Sequence, residues 1–257
     1  MRFEGKTVIV TGGARGIGRA CVQAFAAEGG AVVIADIAVE AGEALAQEIA
    51  SGGGKARFVR ADVGDARDAG ALIDATLEWA CGLDVLVNNA GIIKTADFLE
   101  LTEADFDTVL RVNLKGVFLV GQAAARVMAA RGGGAIVNMS SVNAVLAISN
   151  QIPYVTSKGG LNQLTKVMAL ALADKNIRVN AVGPGSIMTE MLGTVMTDEA
   201  ARQRILSRTP LGRPGEPAEV AKLVLFLASA DASYLTGQCV YLDGGRMALN
   251  YTVPVKG

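Results

Sequence analysis

Short apolar runs rich in β-branched residues alternate along the chain with longer stretches whose apolar positions recur every three or four residues. The runs KTVIVTG (6–12), AVVIAD (31–36), KARFVRADV (55–63), LDVLVNNAG (83–91), AIVNMSS (135–141), IRVNAVGPG (177–185) and QCVYLDGG (238–245) predict strands. The stretches between them predict helices. Residues 16–30 form one, stopped by Gly29–Gly30, and 39–54 place Ala41, Leu45 and Ile49 on a buried face. Residues 66–80 line up Leu72, Thr76 and Trp79, and 97–131 predict one or two helices ended by Gly132–Gly134. Residues 153–173 form a long helix with Pro153 near its start, a tolerated position. Two more are expected over 190–207 and 216–229.

Strict β–α alternation with strands apolar on both faces predicts an α/β fold, an open doubly wound parallel sheet of about seven strands covered on both sides by helices. No linker or composition shift divides residues 1–257, so one domain is expected. Apolar residues make up 51% and charged residues 19% of the chain, which fits a doubly covered sheet or a subunit interface. The net charge of −1 and the lack of a Lys/Arg block argue against nucleic acid as a partner. Cys21, Cys81 and Cys239 are far apart and odd in number, and there is no histidine, so no metal site is expected. The N-terminus runs straight into a strand and no apolar stretch is long enough to span a bilayer; a cytoplasmic protein without a membrane partner is expected.

The first strand enters TGGARGIG (11–18) at the opening of a helix. Gly12 permits a tight turn, Gly16 lets backbone approach a pyrophosphate, and Gly18 allows close helix–strand packing. The helix N-terminus offers free N–H groups to the anion. Such a Rossmann-like loop is sharpened by Asp36, eighteen residues past Gly18 at the end of the second strand. There a carboxylate accepts hydrogen bonds from the adenosine ribose and repels a 2′-phosphate. Arg15 pulls toward the phosphate, but Ile37 and Ala38 add no further cation, so NAD is favoured over NADP. Asp62 has two open roles, helix cap or partner of the adenine amino group.

Tyr154 and Lys158 in PYVTSKGG stand four residues apart, on one face of a helix. An ordinary tyrosine, with a pKa of about 10, is a poor base near neutrality. Lowering it by about 3 takes about 4 kcal/mol, which the Lys158 ammonium and an oxidised nicotinamide together could supply. Tyr154 would then exchange a proton with a substrate oxygen while hydride moves to or from the nicotinamide, and Ser141 would hold that oxygen.

Taken together, TGGARGIG, NNAG at 88–91, Asn113 in RVNLKG, Ser141 thirteen residues before Tyr154, YVTSK and GPG at 183–185 resemble the short-chain dehydrogenase/reductase family, in its branch of about 250 residues. The resemblance covers residues 5–245 and implies a catalytic tetrad of Asn113, Ser141, Tyr154 and Lys158. It implies that Lys158 also holds the nicotinamide ribose and that Asn113 anchors a water in a relay to Lys158. It further implies a cofactor set of Gly12, Arg15, Gly16, Ile17, Gly18, Asp36 and Gly91. Asp62 and Val63 are assigned to adenine, Asn89 to the adenosine-side ribose, and Ile187 and Thr189 to the nicotinamide carboxamide.

Substrate selection in such proteins lies in variable loops, here 92–97, 142–153 and 186–210. Asn143, Ser149, Asn150 and Gln151 suit a sugar or polyol, whereas Met188, Met191, Leu192, Val195 and Met196 suit apolar contact or a lid. The expected activity is an NAD-dependent interconversion of a secondary alcohol and a ketone, on a small sugar, polyol or hydroxy acid. The alternative is an NADPH-dependent ketone reductase of the 3-oxoacyl-(acyl carrier protein) type; a non-catalytic NAD-binding regulator is a third class. A homotetramer is expected from the family. The tail 246–257 is left open between an interface role and closure of a neighbouring site.

Overall fold

The computed structural model describes residues 1–255, apart from the side chain of Met191. Seven strands, β1 (Thr7–Thr11), β2 (Ala31–Asp36), β3 (Lys55–Arg60), β4 (Val85–Asn88), β5 (Gly134–Met139), β6 (Ile177–Pro184) and β7 (Cys239–Leu242), form one sheet. Their order is β3-β2-β1-β4-β5-β6-β7 and every pairing is parallel. Period-2 alternation decides which core each side chain enters. Val8 and Val10 face α1 (Gly16–Ala27), α2 (Val39–Ser51) and α9 (Pro217–Ala228), while Ile9 faces α3 (Ala66–Ala80), α5 (Gly116–Ala130) and α6 (Ile152–Leu172). Leu45 and Ile49 are buried as their spacing predicts, and Leu72 and Thr76 are fully covered. Because successive strands are added in opposite directions on either side of β1 and β4, a crevice opens at their carboxyl ends, where ligands of this architecture bind.

Two predicted helical regions are subdivided. Residues 97–131 become α4 (Glu103–Leu110), capped by the Thr102 hydroxyl, then a single π-helical turn over Arg111–Lys115, then α5. Residues 190–207 split into α7 (Glu190–Val195) and α8 (Glu199–Leu206). The Thr197 hydroxyl bonds the Thr194 carbonyl at the end of α7, and the Asp198 carboxylate accepts Ala201 N–H at 2.7 Å to start α8. Apolar periodicity carries through both. Capping side chains decide the second, whereas the first has none and is a change of register within one continuous helical run. The tail folds back on its own chain, with Val253 N–H donating to the Ser207 carbonyl at 2.8 Å. Among the described residues no helix is long and apolar enough to cross a membrane, and no group of His, Cys, Asp or Glu is placed to hold a metal.

Candidate active site

A cavity of about 620 Å³ occupies the crevice beyond β1 and β4. Gly12, Arg15, Gly16, Ile17, Asp36, Asp62, Val63, Asn89, Gly91 and Thr189 all line it. Gly12 has φ +59° and Gly16 φ +52°, backbone that only glycine adopts without cost. A Cβ on Gly12 would come within 2.8 Å of the Ala90 backbone, whereas Gly16 opens toward the cavity with only the Thr189 methyl at 3.4 Å. Gly12 therefore packs the loop onto β4, and Gly16 leaves room for a ligand. Gly18 lies beneath the loop against the Gly12 carbonyl, a packing role rather than a lining one. Asn89 clamps the loop, its Nδ2 donating to the carbonyls of Thr11 at 3.1 Å and Gly12 at 2.9 Å.

Asp36 is held rigidly at the cavity rim. Its Oδ2 accepts Ala14 N–H and its Oδ1 accepts Ala38 N–H, both at 3.0 Å. Asp62 accepts Gly64 N–H at 2.9 Å and pairs with Arg111 Nη1 at 2.9 Å. Burial alone would raise this carboxyl, but the Arg111 and Gly64 bonds outweigh it and hold the pKa below its usual value. Arg111 also lines the cavity, a residue that no sequence motif marks. Ile187 does not line it; its side chain enters the core beneath, and Met188 N–H bonds the Gly215 carbonyl at 2.7 Å.

Tyr154, Lys158, Ser141 and Asn113 are brought together by α6, the end of β5 and the π-helical turn. Ser141 starts a short 3₁₀ turn over Val142–Ala144, its Oγ accepting Asn143 N–H at 3.1 Å. Lys158 Nζ donates to the Met139 carbonyl at 2.7 Å and lies 5.6 Å from the centre of the Tyr154 ring. Asn113 is wholly buried: its Oδ1 accepts Ile92 N–H at 2.8 Å, and its Nδ2 donates to the Ile92 carbonyl at 2.9 Å and to Ser157 Oγ at 3.1 Å. A Cβ on Gly91 would lie 3.4 Å from Asn113 Oδ1 and 3.7 Å from Lys158 Nζ, so glycine leaves the gap between them open.

Within the protein alone, burial sets the direction at both members of the Tyr154–Lys158 pair. Burial pushes the Tyr154 phenol above its ordinary value, with the Ser141 hydroxyl pulling weakly the other way. Burial likewise pulls Lys158 down to about 8. Lys158 and Tyr154 are neighbours as the four-residue spacing implies, but among the protein's own groups desolvation wins over charge proximity at the phenol. The dinucleotide's residues fit the cavity: a bare glycine rim, free N–H groups at the start of α1 and a fixed carboxylate at the ribose position. When bound, a nicotinamide dinucleotide supplies the hydride acceptor or donor.

A fold of this order, with a glycine loop at the switch point and a Tyr–Lys pair on the helix after β5, defines a dinucleotide-dependent oxidoreductase. A family model described as enoyl-(acyl carrier protein) reductase matches residues 12–247. A 3-oxoacyl-[acyl-carrier-protein] reductase of Thermotoga maritima is 44% identical over 245 residues, covering 95% of this chain and 99% of the relative. An L-rhamnose 1-dehydrogenase (NAD(P)(+)) of Azotobacter vinelandii is 43% identical over 245 residues, covering 93% and 96%. The solved structure of levodione reductase superposes with a TM-score of 0.92 at 35% identity, covering 96% of this chain and 99% of the other. The chain belongs to the short-chain dehydrogenase/reductase family, whose oxidoreductases act on CH–OH and keto groups with NAD or NADP.

Proposed function

We propose that the protein is an NAD-dependent dehydrogenase that interconverts a secondary alcohol and a ketone on a small hydroxylated substrate. The observation that carries the cofactor reading is the Asp36 carboxylate, fixed at the cavity rim by two backbone N–H groups. A 2′-phosphate placed there meets a negative charge that cannot swing away. In the oxidation, Ser141 Oγ and Tyr154 Oη would hold the substrate hydroxyl and the Tyr154 phenolate would take its O–H proton, a bound dinucleotide supplying the hydride acceptor. The Lys158 ammonium supports the phenolate and the nicotinamide ribose, and Asn113 holds the turn that faces Lys158 across Gly91.

Asn143 supports the substrate class. Its Oδ1 is buried without a hydrogen-bond partner, and its Nδ2 makes only a 3.5 Å contact with Gln151 Oε1. A substrate hydroxyl donating to that Oδ1 would pair it, whereas an acyl chain would leave it unpaired at about 1–3 kcal/mol. Residues 186–210 form the substrate lid, with Thr189 lining the cavity opposite Gly16. A cytoplasmic homotetramer fits the exposed Phe118, Val167 and Leu170 on α5 and α6; a monomer by light scattering would refute it.

The second reading is an NADPH-dependent reductase of 3-oxoacyl thioesters. It is favoured by the 44% identical relative and by Arg15 at the cavity rim. A panel of polyols, sugars, hydroxy acids and their ketones, with acetoacetyl thioesters alongside, separates the two when nicotinamide absorbance is followed with both cofactors. Turnover of a polyol or sugar with NAD is expected; a strong preference for NADPH and the thioester replaces the first reading with the second.

A further inference from the structure

The Tyr154–Lys158 spacing continues down α6. Tyr154, Lys158, Asn162 and Thr165 fall at i, i+4, i+8 and i+11, one stripe of a helix. Each meets a residue at or just past the end of β5, within 138–141. The Tyr154 phenol meets the Ser141 hydroxyl, and Lys158 Nζ bonds the Met139 carbonyl at 2.7 Å. Ser140 Oγ donates to Asn162 Oδ1 at 2.6 Å, and Asn138 Nδ2 donates to Thr165 Oγ1 at 2.9 Å. Asn138 and Ser140 are two apart in the strand, so both point to the α6 face. Ser140 is 2% exposed, and its neighbour Ser141 is covalently tied to whatever fixes it.

Asn162 has a second tie. Its Nδ2 donates to the Tyr241 hydroxyl of β7 at 3.1 Å, and the Tyr241 ring lies flat over Gly183, where any Cβ would strike it. One amide thus joins the helix that carries Tyr154 and Lys158, the strand end that carries Ser141, and the edge strand of the sheet. Neither Asn162 nor Tyr241 lines the cofactor cavity.

We propose that Asn162 is a positioning residue for the reaction: its bond to Ser140 fixes how far α6 sits along β5, and so sets Tyr154 Oη against Ser141 Oγ. The inference rests on the assignment of those two groups to the proton transfer. Apolar burial is non-directional, whereas a short side-chain hydrogen bond fixes both distance and angle between the two elements it joins. A displacement of about 1 Å at reacting groups costs up to about a hundredfold in rate. The glycine loop and Asp36, which face the adenosine half of the dinucleotide from the other side of the crevice, stay untouched, so NAD affinity changes little.

The test uses the full-length enzyme with the best alcohol of the panel. Asn162→Ala, Ser140→Ala and the double variant are compared with Asn162→Asp, which keeps the acceptor for Ser140, and with Tyr154→Phe. Expected for Asn162→Ala is a kcat about tenfold lower, with the NAD dissociation constant within about twofold of wild type by calorimetry and the alkaline limb of the pH–rate profile displaced. Asn162→Asp is expected to recover most of the rate, and the double variant to be no worse than Asn162→Ala, since both single changes remove one contact. The proposal is overturned by an unchanged kcat and pH profile with only a lower Tm, or by additive losses in the double variant. Should Asn162→Ala fail to fold, Ser140→Ala carries the same expectations. If Tyr154→Phe keeps full turnover, the assignment beneath the proposal fails as well; if only Tyr154→Phe is inactive, the ladder alone is wrong.

Discussion

The two halves of the sheet solve different recognition problems with different chemistry. Around β1–β3, polar groups meet mostly backbone: Asp36 is held by Ala14 and Ala38 N–H, and the Asn89 amide by the carbonyls of Thr11 and Gly12. Around β4–β6 and α6 several meet side chains, Asn88 to Asn138 and Asn138 to Thr165 in the covered interior and Ser140 to the half-buried Asn162, alongside the backbone bonds of Lys158 and Asn113. A backbone frame presents a generic shape to a dinucleotide and tolerates side-chain change nearby. A side-chain frame is sensitive to every member, because a buried polar group left alone costs about 1–3 kcal/mol.

The largest effect should come from the side-chain half. Tyr154→Phe is expected to lower kcat by about 10²–10⁴ while NAD still binds, measured by steady-state rates and calorimetry. Equal losses in kcat and cofactor affinity would erase the distinction between the halves. Next in size is Asp36→Ala. Removing a charged acceptor of ribose hydroxyls is expected to cost about 1.5–3 kcal/mol of NAD binding, roughly ten- to a hundredfold, and to improve NADP. An unchanged NAD/NADP ratio of kcat/KM would mean that Asp36 does not set the choice.

A smaller change sharpens the boundary between the halves, where Arg111 stands. Arg111→Leu frees Asp62 from its 2.9 Å partner but leaves the Gly64 bond in place. Because Arg111 is 41% exposed at its side chain, the ion pair is partly screened, and only a several-fold loss in NAD affinity is expected. A loss as large as that of Asp36→Ala would show a direct contact with the ligand. Smallest of all, Cys81→Ser, at an exposed position far from both frames, is expected to leave rates and Tm unchanged.

Glycines and charges made the cofactor half legible from sequence. Gly12 and Gly16 are read from positive φ requirements, and Asp36 from its place at a strand end; these are local constraints. Tyr154, Lys158 and Ser141 were equally legible by spacing. Arg111 and Asn162 were not, because their partners Asp62 and Ser140 lie 49 and 22 residues away and no local pattern distinguishes them from a surface helix position. In hindsight the alternation of Asn138 and Ser140 with the i+8 position of α6 was the available signal for Asn162. The extent to which Tyr154 and Lys158 are buried was not legible either, since desolvation depends on how α6 packs and not on spacing. The break of 190–207 into α7 and α8 belongs to the same class, decided by Thr197 and Asp198 hydrogen bonds that periodicity does not register.

The central claim is that Tyr154, buried beside Lys158 on α6, serves as the acid/base. Its phenolate fraction below the pKa grows about tenfold per pH unit, so alcohol oxidation should accelerate as pH rises, and ketone reduction, which uses the phenol, should not. Lys158, pulled down to about 8, loses its charge over the same alkaline range and should bend the rise there. The decisive measurement is the pH dependence of kcat for alcohol oxidation at saturating NAD, in wild type and in Tyr154→Phe. A rising limb in wild type that is absent from the residual activity of Tyr154→Phe is the expected result; the same limb in both proteins would contradict it.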